Sequence, residues 1–231
     1  MDIIFTTYFT QNRKFSQHDC SLGCKPNDFK VMRKWYESIW RLKLNAIIFH
    51  NELSCDFMSK YETKNIKFER WSEFNRPSYN DERFYCYLEY LKMHENIKRG
   101  FCTDMFDVVF YKNPFELVDD QYDLYLGSEA SPSRTWNRRK YKEVKLPQPN
   151  IEAGQTYFNA GIIGGDRSNL MKLFSMMIET FKKVPTNVNA NMPVYNYCLH
   201  NIFNGKYFTG SPLHNKFKSG KIKDGIYIKH K

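Results

Sequence analysis

Between Asp2 and Cys102 short apolar runs alternate with stretches of helical periodicity, and no other feature of the chain limits its fold as much. Asp2–Tyr8 reads as a first buried strand ending in the small hydroxyls Thr6 and Thr7. Asp28 can cap a helix in which Phe29, Met32, Trp35, Tyr36, Ile39 and Trp40 recur at helical spacing. Asn45–Phe49 is a second strand, Ser54 can cap a short helix, and Asn65–Phe68 is a third strand. Ser78 with Asp81 three residues on gives a capping-box start to a helix carrying Phe84, Leu88 and Leu91 on one face. Ile97–Cys102 follows as a strand whose end delivers Thr103 and Asp104. Such alternation predicts a parallel α/β sheet with ligands at the carboxyl ends of its strands.

The second half is more mixed. Asp123–Gly127 and Tyr157–Ile163 read as strands, the latter opening onto Gly164 and Gly165. Helices are expected at about Ser168–Lys183 and Met192–Phe203, with short strand-like pieces at Lys206–Phe208 and Gly225–Ile228. Ser131–Asn150 is the one long polar stretch and is expected to be a mobile loop. No linker separates domains, so residues 1–231 are read as one domain, with halves of about 1–127 and about 128–231.

No apolar run approaches the ~18 to 20 residues of a membrane-spanning helix, and Met1–Thr10 lacks the basic start and cleavage site of a signal peptide. Of the six cysteines only Cys20 and Cys24 are close together, without a second pair to complete a zinc site. Reduced thiols in a cytoplasmic chain are the expectation. The net charge of +10 fits nucleic acid, an anionic surface or a diphosphate-bearing small molecule.

The strongest chemical signal is Thr103-Asp104-Met105-Phe106-Asp107-Val108-Val109-Phe110, followed by Asn113-Pro114-Phe115. Two carboxylates arrive just past a predicted strand with apolar residues on either side. Hard cations such as Mg²⁺ or Mn²⁺ take oxygen ligands, and one or two carboxylates plus substrate phosphates suffice. The plain alternative is that Asp104 caps a turn and Asp107 is solvated. Asn159 offers an amide that can hydrogen-bond sugar hydroxyls without titrating. Gly161, Gly164 and Gly165 permit close backbone approach, to a ligand or in a tight turn.

The run Thr-Asp-x-x-Asp-Val-x-Phe-x-x-Asn-Pro-Phe resembles a variant of the metal motif of GT-A nucleotide-sugar glycosyltransferases, with one residue more than the usual Asp-x-Asp spacing. Other matches fall in order along nearly the whole chain. Ile3–Phe9 is similar to the family's first strand, whose end holds the nucleotide base and ribose, which implies that role for Thr6, Thr7 and Tyr8. Asn80-Asp81-x-Arg83-Phe84 resembles the segment where an Asp and an Arg help hold the donor. Phe158-Asn159-Ala160-Gly161-Ile162-Ile163-Gly164-Gly165 is similar to an Asn-x-Gly-x-x-Gly-Gly element lining the sugar and acceptor side. Gly210-x-Pro212-x-His214 and His230-Lys231 resemble the closing segment, where a His completes the metal site and a Lys meets the diphosphate.

The resemblance therefore implies a GT-A (Rossmann-like) fold and a metal site of Asp104, Asp107 and His230 holding Mn²⁺ or Mg²⁺. Asp104 goes to metal or ribose, and Lys231 to the donor. The compact layout resembles most the glycosyltransferase domains of large algal DNA viruses of the chlorovirus type, which implies host cytoplasm. The expected activity is transfer of a sugar from a nucleotide diphosphate sugar, UDP by base rate, to a glycan or glycoprotein acceptor, retaining by resemblance. Glu129 and Asp166 are the available catalytic carboxylates, with Asn159 beside them. The rival is a metal-dependent nucleic-acid-binding protein or nuclease. It would grip its strand with the basic residues of 134–145, among them Arg134, Arg138, Arg139 and Lys142 around Trp136 and Tyr141. A third reading is a non-catalytic sugar- or nucleotide-binding domain.

Overall fold

Ile3, Ile4 and Phe5 are all buried, and so is every residue from Ala46 to His50. Consecutive buried residues in strands require cover on both faces of the sheet. The computed structural model describes residues 1–10, 25–129, 134–149, 156–219 and 224–231, without the side chains of 134–137. In it, β1 (Asp2–Tyr8) is flanked by β2 (Ala46–His50) and β4 (Arg99–Thr103), both parallel to it, and β3 (Ile66–Arg70) lies outside β2.

Beyond β4 the sheet turns mixed. β7 (Phe158–Asp166) runs antiparallel between β4 and β6 (Leu124–Ser128), and β8 (Tyr207–Thr209) pairs parallel with β6. The seven-stranded order is β3-β2-β1-β4-β7-β6-β8. A separate ribbon joins β5 (Val108–Phe110) to β9 (Ile228–His230). The architecture is a mixed, mostly parallel α/β sheet flanked by helices, of the Rossmann-like kind.

Alternate residues of one strand feed two cores. Ile3 and Phe5 with Ile47 and Phe49 pack on one side with α3 (Tyr79–Met93), α4 (Arg134–Val144), α5 (Arg167–Phe181) and α6 (Asn191–Asn201). Ile4, Ala46 and Ile48 face α1 (Phe29–Arg41) and α2 (Cys55–Tyr61) on the other. The expected caps hold for two helices: the Asp28 carboxylate accepts from Lys30 N, and Ser54 Oγ accepts from Phe57 N at 3.2 Å. Each such cap contributes about 1 kcal/mol.

Three expectations need correction. The capping box at Ser78 does not form. Its Oγ has no hydrogen-bond partner, since Asp81 N donates to the Ser78 carbonyl instead, and the Asp81 carboxylate is taken by Arg76 and the backbone N–H of Ala190. The stretch Ser131–Asn150 is not a loop throughout, since Arg134–Val144 is helical and Tyr141 and Val144 enter the core. The strand expected at Tyr157–Ile163 runs on to Asp166, so Gly164 and Gly165 lie within it and not in a turn. A Cβ on Gly164 would stand 2.1 Å from the Phe101 ring.

Among the described residues no helix is long and apolar enough to cross a membrane. Cys86, Cys102 and Cys198 are buried free thiols and Cys55 is an exposed one. Cys20 and Cys24 lie outside the described residues.

Candidate metal centre

The carboxyl end of β4 is pinned from two directions. Thr6 Oγ1 donates to the Thr103 carbonyl at 2.9 Å, and Trp35 Nε1 donates to Thr103 Oγ1 at 2.9 Å. Asp104 N then donates to the Gly161 carbonyl on β7. The Asp104 side chain is thus presented from a fixed strand end. Arg83, one turn into α3 and buried, holds one Asp104 oxygen in a charge-assisted hydrogen bond and donates its Nη2 to the Ala160 carbonyl at 3.1 Å.

The third residue comes from the far end of the chain. β9 pairs with β5 in the register Val108–His230, so the His230 ring arrives beside Asp107. Asn215 clamps the same residue by its backbone, accepting from His230 N and donating to its carbonyl, each at 2.9 Å. His230 Nε2 lies 3.7 Å from Asp104 Oδ2 and 3.5 Å from Asp107 Oδ1. One ligand atom from each of the three side chains falls within a 4.8 Å cluster, which can hold a metal ion.

A test of fit comes from the hydrogen bonds these atoms lack. His230 is fully buried, yet neither ring nitrogen has a partner, and neither does the buried Asp107 Oδ1. Buried polar atoms are nearly always satisfied, and leaving one bare costs about 1–3 kcal/mol. A divalent cation between the imidazole and the two carboxylates would satisfy His230 Nε2 and Asp107 Oδ1 together. Gly161 makes the room: a Cβ there would stand 2.4 Å from His230 Cε1 and 2.6 Å from Asp104 Oδ2. Burial alone would raise the Asp104 pKa, but the Arg83 guanidinium and His230 outweigh it and hold the carboxyl below its ordinary value. Asp104 is therefore ionised at neutral pH, as a metal ligand must be.

Around this cluster stand further residues expected from sequence. Asn159 Nδ2 donates to Glu129 Oε1 at 2.6 Å, while its Oδ1 accepts from Gly161 N. Burial pushes the Glu129 pKa up, against the opposing pull of Asn159, Lys218 and His230. Lys231 N donates to the Asp107 carbonyl at 3.1 Å, which places the exposed Lys231 next to the site. Asp104, Asp107, His230, Arg83, Asn159, Ala160, Gly161, Glu129 and Lys231 are thus brought together.

Other candidates are placed differently. Thr6 is fully buried on the Thr103 carbonyl, and the buried Tyr8 hydroxyl bonds the carbonyls of Lys25 and Asp28. Only Thr7 of that trio keeps exposed surface. Asp81 is also fully buried, its pKa pushed up to about 6 by burial against the pull of Arg76. Gly164, Gly165 and Asp166 pair with Phe101, Gly100 and Arg99, at the start of β4 and away from Asp104. His214, in the motif Gly210-x-Pro212-x-His214, spends Nδ1–H on the Asn215 carbonyl and accepts at Nε2 from Gly210 N. It braces the closing segment while His230 remains free to bind.

Sequence reasoning missed Asn215, Trp35 and Thr103 as positioning groups. Their contacts join residues 15 to 97 apart along the chain, and spacing carries no trace of them. In the basic segment 134–145, Tyr141 is 2% exposed and its hydroxyl donates to the Pro193 carbonyl, while the side chains of Arg134 and Trp136 lie outside those described. No protein-family model matches the chain, and no curated protein is similar enough to match it.

Proposed function

We propose that the chain is a metal-dependent glycosyltransferase of the GT-A type, moving a sugar from a nucleoside diphosphate to a glycan or glycoprotein acceptor. The observation that carries the reading is the cluster of Asp104, Asp107 and His230 at the carboxyl end of β4, in which two buried ligand atoms, His230 Nε2 and Asp107 Oδ1, lack hydrogen-bond partners. In open α/β sheets that edge is where ligands bind. The sequence resemblance, from Thr103 to Phe115 and at His230-Lys231, selects nucleotide-sugar chemistry from what such a site can do. The same resemblance favours UDP as the carrier and a cytoplasmic, viral setting.

The residues divide the work as follows. Asp104, Asp107 and His230 hold the cation, Mn²⁺ or Mg²⁺, which when bound neutralises charge on the diphosphate leaving group. Arg83 keeps Asp104 ionised and aimed. Lys231, on the rim, adds a cation for the phosphates. Thr7, half-buried at the end of β1, offers its hydroxyl to the nucleoside. Glu129, oriented by Asn159 and close enough to His230 to feel its charge, serves the sugar or its acceptor. In the transfer an acceptor hydroxyl oxygen bonds to the anomeric carbon as its bond to phosphate oxygen breaks. The nucleoside diphosphate leaves with that electron pair, and the hydroxyl proton passes to a base, Glu129 or the departing phosphate.

A release assay tests the reading directly. With Mn²⁺ and a panel of nucleotide sugars, the protein should liberate nucleoside diphosphate from at least one donor, and His230→Ala should lower that rate at least a hundredfold. Equal release by wild type and His230→Ala, or no release from any donor, counts against it.

A further inference from the structure

A second feature lies on the same rim of the sheet. A cleft of about 700 Å³ opens between Asn51, after β2, and the segment leading from β3 into α3, with Thr186 on its far wall. Its floor is aromatic. Phe74, 39% exposed, is braced edge-on by the buried Phe9 at 5.2 Å and packs on Tyr79 at 5.5 Å. Phe9 and Tyr79 are themselves 5.3 Å apart, so the three rings form a fixed platform. An exposed phenyl held rigid inside a cleft is a contact surface waiting for an apolar face.

The polar groups of the wall are neutral or already neutralised. Asn51 bonds the Tyr79 hydroxyl and accepts from Thr10 N, and Asn75 donates to Glu82. Arg76 is the one cation of the described lining, and its terminal nitrogens are committed to the carbonyls of Phe181, Val184 and Pro185 and to the Asp81 carboxylate. A phosphate would find no free charge here. What remains to meet a ligand is amide and hydroxyl groups, since the Arg76 Nε–H, though without a partner, is closed to solvent. An aromatic floor with a rim of uncharged donors and acceptors matches a pyranose, whose C–H face is apolar and whose hydroxyls point outward.

The cleft and the metal centre share a helix. Tyr79 and Arg83 are four residues apart on α3, so they share a face about 6 Å apart along its axis. Tyr79 belongs to the cleft and Arg83 holds Asp104.

We infer that the cleft between Asn51, Phe74, Asn75, Tyr79 and Thr186 is a subsite for a neutral oligosaccharide, the acceptor chain of the transfer reaction. The acceptor role rests on the glycosyltransferase reading above, whereas the binding of a neutral sugar chain does not. Phe74 stacks on one ring, and the Asn51 and Asn75 amides and the Thr186 hydroxyl meet its hydroxyls. The chain then runs over the first turn of α3 towards the metal.

The test is a microarray of several hundred neutral, sialylated and phosphorylated glycans probed with wild type, Phe74→Ala, Thr186→Arg and Asp107→Ala. Calorimetric binding of nucleoside diphosphate with Mn²⁺ is measured on the same samples. Thr186 is exposed, so its replacement can block the cleft without disturbing the core. The expected result is binding of a neutral glycan class, lost at least tenfold in Phe74→Ala and Thr186→Arg and kept in Asp107→Ala, with nucleotide binding kept in the first two variants. A blank array, binding confined to charged glycans, or signal that survives both cleft variants overturns the proposal. Glycan binding lost in the cleft variants while no nucleotide binds the wild type would leave the subsite standing and remove the transferase reading.

Discussion

Two residues show how closely the site is tied to single atoms. Gly161 lies beneath both His230 and Asp104, where a Cβ would meet the ring and the carboxylate at 2.4 and 2.6 Å. Gly161→Ala is therefore expected to fold, with a cost of about 1–3 kcal/mol for overpacking. It should bind Mn²⁺ at least ~10-fold more weakly than wild type by calorimetric titration, within the range that supporting residues of metal sites show. Unchanged Mn²⁺ affinity would separate Gly161 from the site.

Asp81 tests a different property. Its folded pKa of about 6 lies above the ordinary carboxylate value of 3.8, so the folded state holds its proton more tightly than the unfolded chain. The stability this gives is fully present below about pH 4 and is lost as pH rises through about 6. Asp81→Asn cannot titrate. Wild type should therefore lose stability relative to Asp81→Asn between pH 4 and 6.5 in urea unfolding, and a constant or opposite difference would refute the shift. At this scale the sequence was half legible. The spacing from Asp104 to Asp107 and the terminal His230 could be singled out by resemblance, but that His214 is occupied and His230 bare depends on the fold.

At the scale of elements, the strands and helices of the first half follow from apolar periodicity, usually within two residues. Three second-half elements did not, among them β9, expected at Gly225–Ile228 and found at Ile228–His230. The helix Arg134–Val144 was hidden because its apolar side amounts to little more than Tyr141 and Val144 amid Arg and Lys, so composition read as a loop. The glycines ending β7 read as a turn because Gly is a poor strand residue. They are tolerated in the strand because Phe101 and the Asp123 carbonyl occupy the space a side chain would need. Gly164→Ala should accordingly lower the melting temperature by several degrees, and leave nucleotide and metal affinity of the folded protein unchanged. Loss of affinity without loss of stability would instead assign Gly164 to ligand contact.

Across the whole molecule, the sheet order brings together residues the chain keeps far apart. Arg83 on α3, Asp104 after β4, Gly161 on β7 and His230 on β9 meet because β4 has β7 as its antiparallel neighbour and the last strand folds back on β5. The mostly parallel α/β architecture was legible from strand–helix alternation. The antiparallel insertion of β7 was not, since pairing partners are set by long-range packing and not by local pattern. The rest of the account, from cation to diphosphate to sugar, depends on whether this convergence is a binding site.

Thermal unfolding with a panel of nucleoside diphosphates, in Mn²⁺ and in chelator, on wild type and Asp107→Ala, tests that most directly. A ligand at a hundredfold excess over its dissociation constant adds about 2.7 kcal/mol. The account predicts that one nucleotide raises the wild-type melting temperature only with Mn²⁺ and that Asp107→Ala abolishes the rise. Stabilisation indifferent to metal and to Asp107, or stabilisation by an oligonucleotide at low salt and by no nucleoside diphosphate, would contradict it.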